Sequence, residues 1–175
     1  MKKIILITGG QRSGKSMYAE RLALSMTDQP IYFATARIWD EEFKERVKRH
    51  QARRGDNWTN IEEEKYLSHH TIYNKVCVVD CITLWCTNFF FDANQNNPKK
   101  PVIDEALDAI KKEFDQFTAQ DATFIFVTNE IGSGGVSDNV VQRRFTDMEG
   151  WMNQYVASKA DEVVLMVSGI PVKIK

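Results

Sequence analysis

Residues 4–16 read Ile4-Ile5-Leu6-Ile7-Thr8-Gly9-Gly10-Gln11-Arg12-Ser13-Gly14-Lys15-Ser16: an apolar, β-branched run, then a loop bounded by glycines, then helix formers over 17–26. Glycine at both ends lets the backbone turn so tightly that successive amide N–H groups converge on phosphate oxygens. The helix that follows adds the positive end of its dipole. Lys15 is then a point charge for the β- and γ-phosphates, and Ser16 a hydroxyl ligand for Mg2+. The bland alternative is a glycine-rich βα turn that binds nothing. With strand before and helix after, Gly9, Gly10, Gln11, Arg12, Ser13, Gly14, Lys15 and Ser16 read as a triphosphate-binding loop.

Four more apolar runs lie downstream, at 31–34, 76–80, 123–128 and 163–167. Their length and composition fit strands buried on both faces. Between them, Ile103, Leu107, Ile110, Phe114 and Phe117 step by four and three, as do Val141, Phe145, Met148, Met152 and Tyr155, which is the spacing of one helix face. Alternating strands and helices predict an α/β fold, with a mostly parallel sheet covered by helices on both faces. Two apolar runs around Ser168-Gly169-Ile170-Pro171 predict a C-terminal hairpin at one edge. Asp92 to Pro101 is the one polar, proline-punctuated insertion and reads as a solvated surface loop. No internal repeat or linker divides the chain, so residues 1–175 are expected to form one nucleotide-binding domain.

With 23 Lys and Arg against 24 Asp and Glu, the chain lacks the global basic field on which non-specific nucleic-acid binding relies. Its apolar runs fall short of the roughly 20 residues a membrane helix needs. The N-terminus leads straight into the first strand, without room for a cleaved signal, and a cytoplasmic protein is expected, with no membrane or nucleic-acid partner. Cys77, Cys81 and Cys86 show neither an even count nor metal-ligand spacing, and are read as buried, reduced thiols.

Asp80 ends the apolar run Val76-Cys77-Val78-Val79. A carboxylate there suits Mg2+, which needs only one or two protein ligands, so Ser16 and Asp80 would suffice. Asp80 could instead cap the helix expected from Ile82, and Glu130, after the 123–128 run, competes for the metal role. The segment 40–54 opens with acids and closes with bases, as a helix dipole favours. Arg46 precedes His50 by four residues, and Arg53 and Arg54 follow it by three and four, which encloses one imidazole in guanidinium groups. Nearby positive charge favours the neutral, nucleophilic ring. A half-buried histidine on an ordinary amphipathic helix would carry the same spacing.

In order along the chain, the loop 9–16, Ala34-Thr35-Ala36, Arg49-His50-Gln51-Ala52-Arg53-Arg54 with Trp58, Asp80-Cys81-Ile82-Thr83-Leu84-Trp85, Val127-Thr128-Asn129-Glu130-Ile131-Gly132, Arg143-Arg144-Phe145 and Val167-Ser168-Gly169-Ile170-Pro171 resemble the bifunctional adenosylcobinamide kinase / adenosylcobinamide-phosphate guanylyltransferase family. The resemblance implies a RecA-like P-loop fold and a homotrimer. It also implies an enzyme that phosphorylates adenosylcobinamide and then transfers GMP from GTP to adenosylcobinamide phosphate through a GMP-histidine. His50 matches the nucleophile. The carry-over assigns guanine-nucleotide contacts to the loop 9–16, to Thr35, Ala36 and Arg37, to Gln51, Ala52, Arg53 and Arg54, to Glu62 and to Asp80. ATP and GTP are the implied substrates. Two readings compete with this one: a single-activity small-molecule kinase, and a RecA-like ATPase or nucleotide switch. The chain departs from the family pattern at Gln11 in the phosphate loop and over Gly134-Gly135-Val136-Ser137, where an extra glycine appears and serine replaces proline. Ser137 is expected to cap the helix that follows.

Overall fold

Ile4 and Leu6 turn to one face of the sheet and Ile5 and Ile7 to the other, and all four are buried, so the first strand must be covered on both sides. The computed structural model describes residues 1–38, 45, 54–96 and 102–175. Seven strands form one sheet in the order β3-β2-β4-β5-β1-β6-β7. In chain order they are β1 (Lys3–Gly9), β2 (Ile31–Ala34), β3 (Thr59–Glu62), β4 (Val76–Asp80), β5 (Thr123–Val127), β6 (Glu162–Val167) and β7 (Ile170–Lys173). All neighbours run parallel except β6 and β7, which pair antiparallel as the expected C-terminal hairpin.

Among the described residues, four α-helices flank the sheet: α1 (Lys15–Leu24), α2 (Ile82–Ala93), α3 (Asp104–Phe117) and α4 (Val140–Lys159). Ala19 and Ala23 bring α1 against Ile5, Ile7, Val78 and Ile125. Trp85, Phe90, Ile110, Phe114, Phe117, Met148 and Met152 bring the other three helices against Leu6, Phe33, Val79 and Phe126 on the opposite face. The two predicted helix stripes are therefore core-facing, and the mostly parallel, doubly covered sheet is the observed fold.

Three local features differ from the sequence reading. β3 was not expected: Thr59-Asn60-Ile61-Glu62 is exposed or half-buried along its length, and an edge strand needs no apolar alternation to pair in parallel with β2. The insertion at 92–101 begins inside α2, and Asn94 beyond it is 5% exposed, its carboxamide bonded to the Phe90 and Val102 carbonyls and to the Val102 amide. Residues 97–101 lie outside the described residues. The helix cap assigned to Ser137 falls to Asn139, whose side chain accepts from the Gln142 amide, while Ser137 Oγ accepts from the Asn139 amide.

Phe117 is fully buried, with its ring edge-on to Phe33, Phe124 and Phe126, so it joins α3 to strands β2 and β5. Phe117→Ala is expected to lower the unfolding free energy by about 3–5 kcal/mol, through lost burial and the cavity left behind, as read from the midpoint of urea denaturation.

Candidate active site

The phosphate loop is wedged between two neighbouring strand ends. Gly9, at φ 150°, sits where an added Cβ would lie 2.6 Å from the Met166 carbonyl oxygen of β6 and 2.8 Å from Ser13 Oγ, so only glycine fits. Gly14, at φ 94°, is the N-cap of α1 in the left-handed region, and its Cβ would meet the Gly169 Cα at 3.3 Å. The Gly169 amide donates to the Ser13 carbonyl at 2.9 Å, and from the other side the Glu130 amide donates to the Gly9 carbonyl at 3.0 Å. The β6–β7 turn and the end of β5 thus hold the loop from both flanks.

Inside this frame Lys15 is 7% exposed and its ammonium donates to the Gly10 carbonyl at 2.6 Å. Burial pulls its pKa below the usual lysine value, against the opposing influence of Cys81, Asp80 and Glu149. An anion arriving at the loop would replace the weak carbonyl partner with a full counter-charge. Ser13 Oγ is buried and makes no hydrogen bond among the described residues, and the Ser16 hydroxyl makes none either. Both are suited to phosphate oxygens or to a hydrated cation.

Asp80 lies at the carboxyl end of β4, one strand beyond β5. It does not cap α2, whose N-cap is Cys81 without a side-chain cap bond. The buried Tyr32 phenol instead donates to Asp80 Oδ2 at 2.7 Å. Burial and the neighbouring carboxylate both push the phenol's pKa up, so it remains a proton donor to Asp80. One hydroxyl, from Ser16, and one oriented carboxylate, from Asp80, match the sparse protein ligation of Mg2+. Among the described residues no group of three or more His, Cys, Asp or Glu could cage a metal by itself.

Several of the remaining carried-over positions are held by neighbours within the chain. Thr35 is fully buried, and its hydroxyl braces the Cys81 peptide, donating to the carbonyl at 2.8 Å and accepting from the amide at 2.9 Å. Arg37 holds both oxygens of Asp92, at 2.8 and 3.1 Å, and Glu64 at 2.7 Å. Arg37 and Lys65 together hold the Asp92 carboxyl at about 2. Ala36 is half-buried between these two. The Arg54 side chain is 2% exposed, its guanidinium 3.5 Å over the Tyr32 ring, with Nε donating to Asn60 Oδ1 and Nη1 3.7 Å from Glu20. Arg54 therefore props Tyr32 from behind instead of projecting as an exposed charge. Glu62, exposed at the end of β3, stands four strand positions from Gly9, about 19 Å at ordinary strand spacing. His50, Gln51, Ala52 and Arg53, with Arg46, lie outside the described residues.

Several site residues carried no readable signal. Tyr32 looks like one more apolar strand position. Glu149 and Asn153 each follow a buried methionine of α4, and their own spacing of four was the only available sign of a second inward row. Glu149 is 1% exposed and accepts from Thr83 Oγ1 at 2.7 Å. His69 is exposed, whereas His70 is half-buried, edge-on to Phe33 and 3.4 Å from Glu63. The cysteines are free and buried as expected, with burial raising all three thiol pKa values, that of Cys81 to about 12.

A protein-family model described as cobinamide kinase / cobinamide phosphate guanyltransferase matches residues 5–174. The chain belongs to this family. It is 38% identical, over 98% of its length and 99% of the relative's, to the bifunctional adenosylcobalamin biosynthesis protein CobU of Escherichia coli (strain K12). It is 34% identical, over 97% of its length and 96% of the relative's, to the bifunctional adenosylcobalamin biosynthesis protein CobP of Pseudomonas aeruginosa. Among solved structures, a prototypical ATPase from the type III secretion system of pathogenic bacteria superposes with a TM-score of 0.56 at 12% identity, over 93% of this chain and 50% of that one. That likeness speaks to the P-loop, RecA-like fold alone. As a cobinamide kinase / guanylyltransferase family member, the protein is a nucleotide-dependent transferase of cobalamin biosynthesis.

Glu149 generates a pH signature. Burial, reinforced by Glu130, raises its carboxyl to about 7, against the stabilising hydrogen bonds of Thr83, Asn153 and Thr128. A raised carboxyl pKa means that the folded state binds the proton more tightly than the unfolded chain does. Stability from this group is therefore full at low pH and falls as pH rises from about 4.5 through about 7. Urea denaturation at pH 5 and pH 8 is expected to show Glu149→Gln losing less stability over that interval than the wild type, by about 3 kcal/mol.

Proposed function

We propose that this chain carries out both reactions of its family in one catalytic domain, first phosphorylating adenosylcobinamide with ATP or GTP, then transferring GMP from GTP to adenosylcobinamide phosphate. The observation that carries the reading is the phosphate loop, in which Lys15 and the Ser13 hydroxyl stand buried without a charged or hydrogen-bonding partner of their own strength. In the kinase step the loop amides and Lys15 hold the β- and γ-phosphates, and Ser16 and Asp80 hold Mg2+, with Tyr32 fixing the carboxylate. Bound there, Mg2+ supplies charge neutralisation for the transferring phosphoryl group.

In the transferase step an imidazole nitrogen of His50 attacks the α-phosphorus of GTP. The bond from that phosphorus to the bridging oxygen breaks, and pyrophosphate leaves. A phosphate oxygen of adenosylcobinamide phosphate then displaces His50, giving adenosylcobinamide-GDP and the free imidazole. Arg46 and Arg53 are the guanidinium groups assigned to the charge that develops on the α-phosphoryl oxygens, whereas Arg54 serves by anchoring the chain. His50 lies four positions before that anchor, a reach of at most about 14 Å of extended backbone. Gln51, Ala52 and Glu62 belong, in this reading, to recognition of the guanine nucleotide.

The assembly we propose is a cytoplasmic homotrimer. Edge strand β7 exposes Ile170 and Val172, with Ile174 exposed just beyond it, and apolar surface of that kind supports contact between copies.

Incubation with α-labelled GTP and Mg2+ tests the chemistry. Acid-labile, alkali-stable label on the protein is expected for the wild type, and its absence would leave a single-activity kinase or a RecA-like ATPase. His50→Ala is expected to abolish labelling and guanylyl transfer while phosphorylation of adenosylcobinamide continues, because phosphoryl transfer to a hydroxyl needs positioning and charge but no imidazole. Lys15→Ala is expected to slow both reactions by roughly a hundredfold or more, measured as initial rates.

A further inference from the structure

The carboxyl end of β5 is fixed by a polar set that the phosphate loop and Asp80 do not account for. Thr83 Oγ1, on α2, donates to Glu149 Oε1 at 2.7 Å and accepts from the Asn129 amide at 3.0 Å. Thr128 Oγ1 donates to Asn153 Oδ1 at 2.7 Å, and Asn153 Nδ2 donates to the Asn129 carbonyl at 3.3 Å. The next amide, of Glu130, bonds the first glycine of the loop. Thr128, Glu149 and Asn153 are buried, so these bonds form away from competing water.

Both peptide groups of Asn129 are thus clamped by side chains from α2 and α4. Because β5 lies between β1 and β4, the clamp holds Asn129 between the phosphate loop and Asp80. The Asn129 carboxamide is half-buried and makes no hydrogen bond among the described residues. Among the described residues of this strand end, Thr128 to Glu130, it is the side chain with both a donor and an acceptor available.

We propose that Asn129 is a further catalytic residue of the phosphoryl-transfer step, its carboxamide donating to a γ-phosphoryl oxygen and accepting from the incoming hydroxyl, and that Thr83, Glu149 and Asn153 are its positioning residues. The proposal rests on the kinase reading given above. The hydroxyl oxygen of adenosylcobinamide bonds to the γ-phosphorus as the bond to the β,γ-bridging oxygen breaks. The nucleoside diphosphate leaves and the hydroxyl proton passes to solvent. Asn129 gains and loses nothing, and its effect is alignment and charge stabilisation of an in-line displacement.

The test is steady-state phosphorylation of adenosylcobinamide by the intact protein, paired with nucleotide affinity from intrinsic tryptophan fluorescence. Asn129→Ala is expected to lower kcat by roughly a hundredfold while nucleotide KM and Kd stay within about threefold, the split expected for an interaction made only in the transition state. Thr83→Val is expected to reduce kcat in the same way, and Thr83→Ser, which keeps the hydroxyl, to restore most of it. If Thr83→Val does not fold, Asn129→Ala and Thr83→Ser decide the matter alone. Wild-type turnover by Asn129→Ala would overturn the proposal, as would a loss of nucleotide affinity matching the loss of rate. A wild-type protein that leaves adenosylcobinamide unphosphorylated would remove the kinase reading itself, and this assignment with it.

Discussion

Two backbone hydrogen bonds set the position of everything that touches phosphate: the Gly169 amide to the Ser13 carbonyl, and the Glu130 amide to the Gly9 carbonyl. A loop of amides aimed at an anion has no side chains to pack and repels itself electrostatically, so neighbouring elements must hold its shape. Here the end of β6 and the β6–β7 turn press on one side, close enough to Gly9 and Gly14 that a methyl group would collide or crowd, and the β5 end holds the other. The C-terminal hairpin is therefore part of the nucleotide site, although a reading of its residues alone suggests only an edge that closes the sheet.

Charge within this frame is arranged in opposition. Lys15 is nearly buried, with Asp80 and Glu149 favouring its charged form while burial disfavours it. Glu149 in turn is pushed toward neutrality by its own burial and by Glu130. A neutral Glu149 leaves Lys15 with more uncompensated positive charge for an incoming polyphosphate.

The sheet was legible because its inner strands are buried on both faces: Ile4 to Ile7, Cys77 to Val79 and Phe124 to Val127 have no solvent side, and composition alone marks them. The phosphate loop was legible for a different reason, since its function restricts residue type at fixed spacing. β3 was not, because an edge strand is paid for by backbone pairing to β2 and leaves Thr59, Asn60 and Glu62 exposed. Asn94 was misjudged by type, since an amide in a polar stretch looks solvated until the fold closes over it, and Glu149, an acid on a charged helix, gave no sign of its burial. The partners of Arg37 and Arg54, Asp92 and Glu64 for one and Tyr32 and Asn60 for the other, were equally illegible, because they lie far away in the chain or on the neighbouring strand.

That last arrangement links two parts of the proposed cycle. Arg54 covers the ring of Tyr32, Trp58 packs edge-on against the same ring, and the phenol donates to Asp80. The side chain that ends the histidine-bearing stretch and the carboxylate assigned to the metal therefore share one intermediary. A change in how Arg54 seats must move the Tyr32 ring or leave a buried guanidinium without its partner, and a shift of that ring redirects the hydroxyl that orients Asp80. The contact therefore couples the seat of Arg54 to the orientation of Asp80 through a single buried ring.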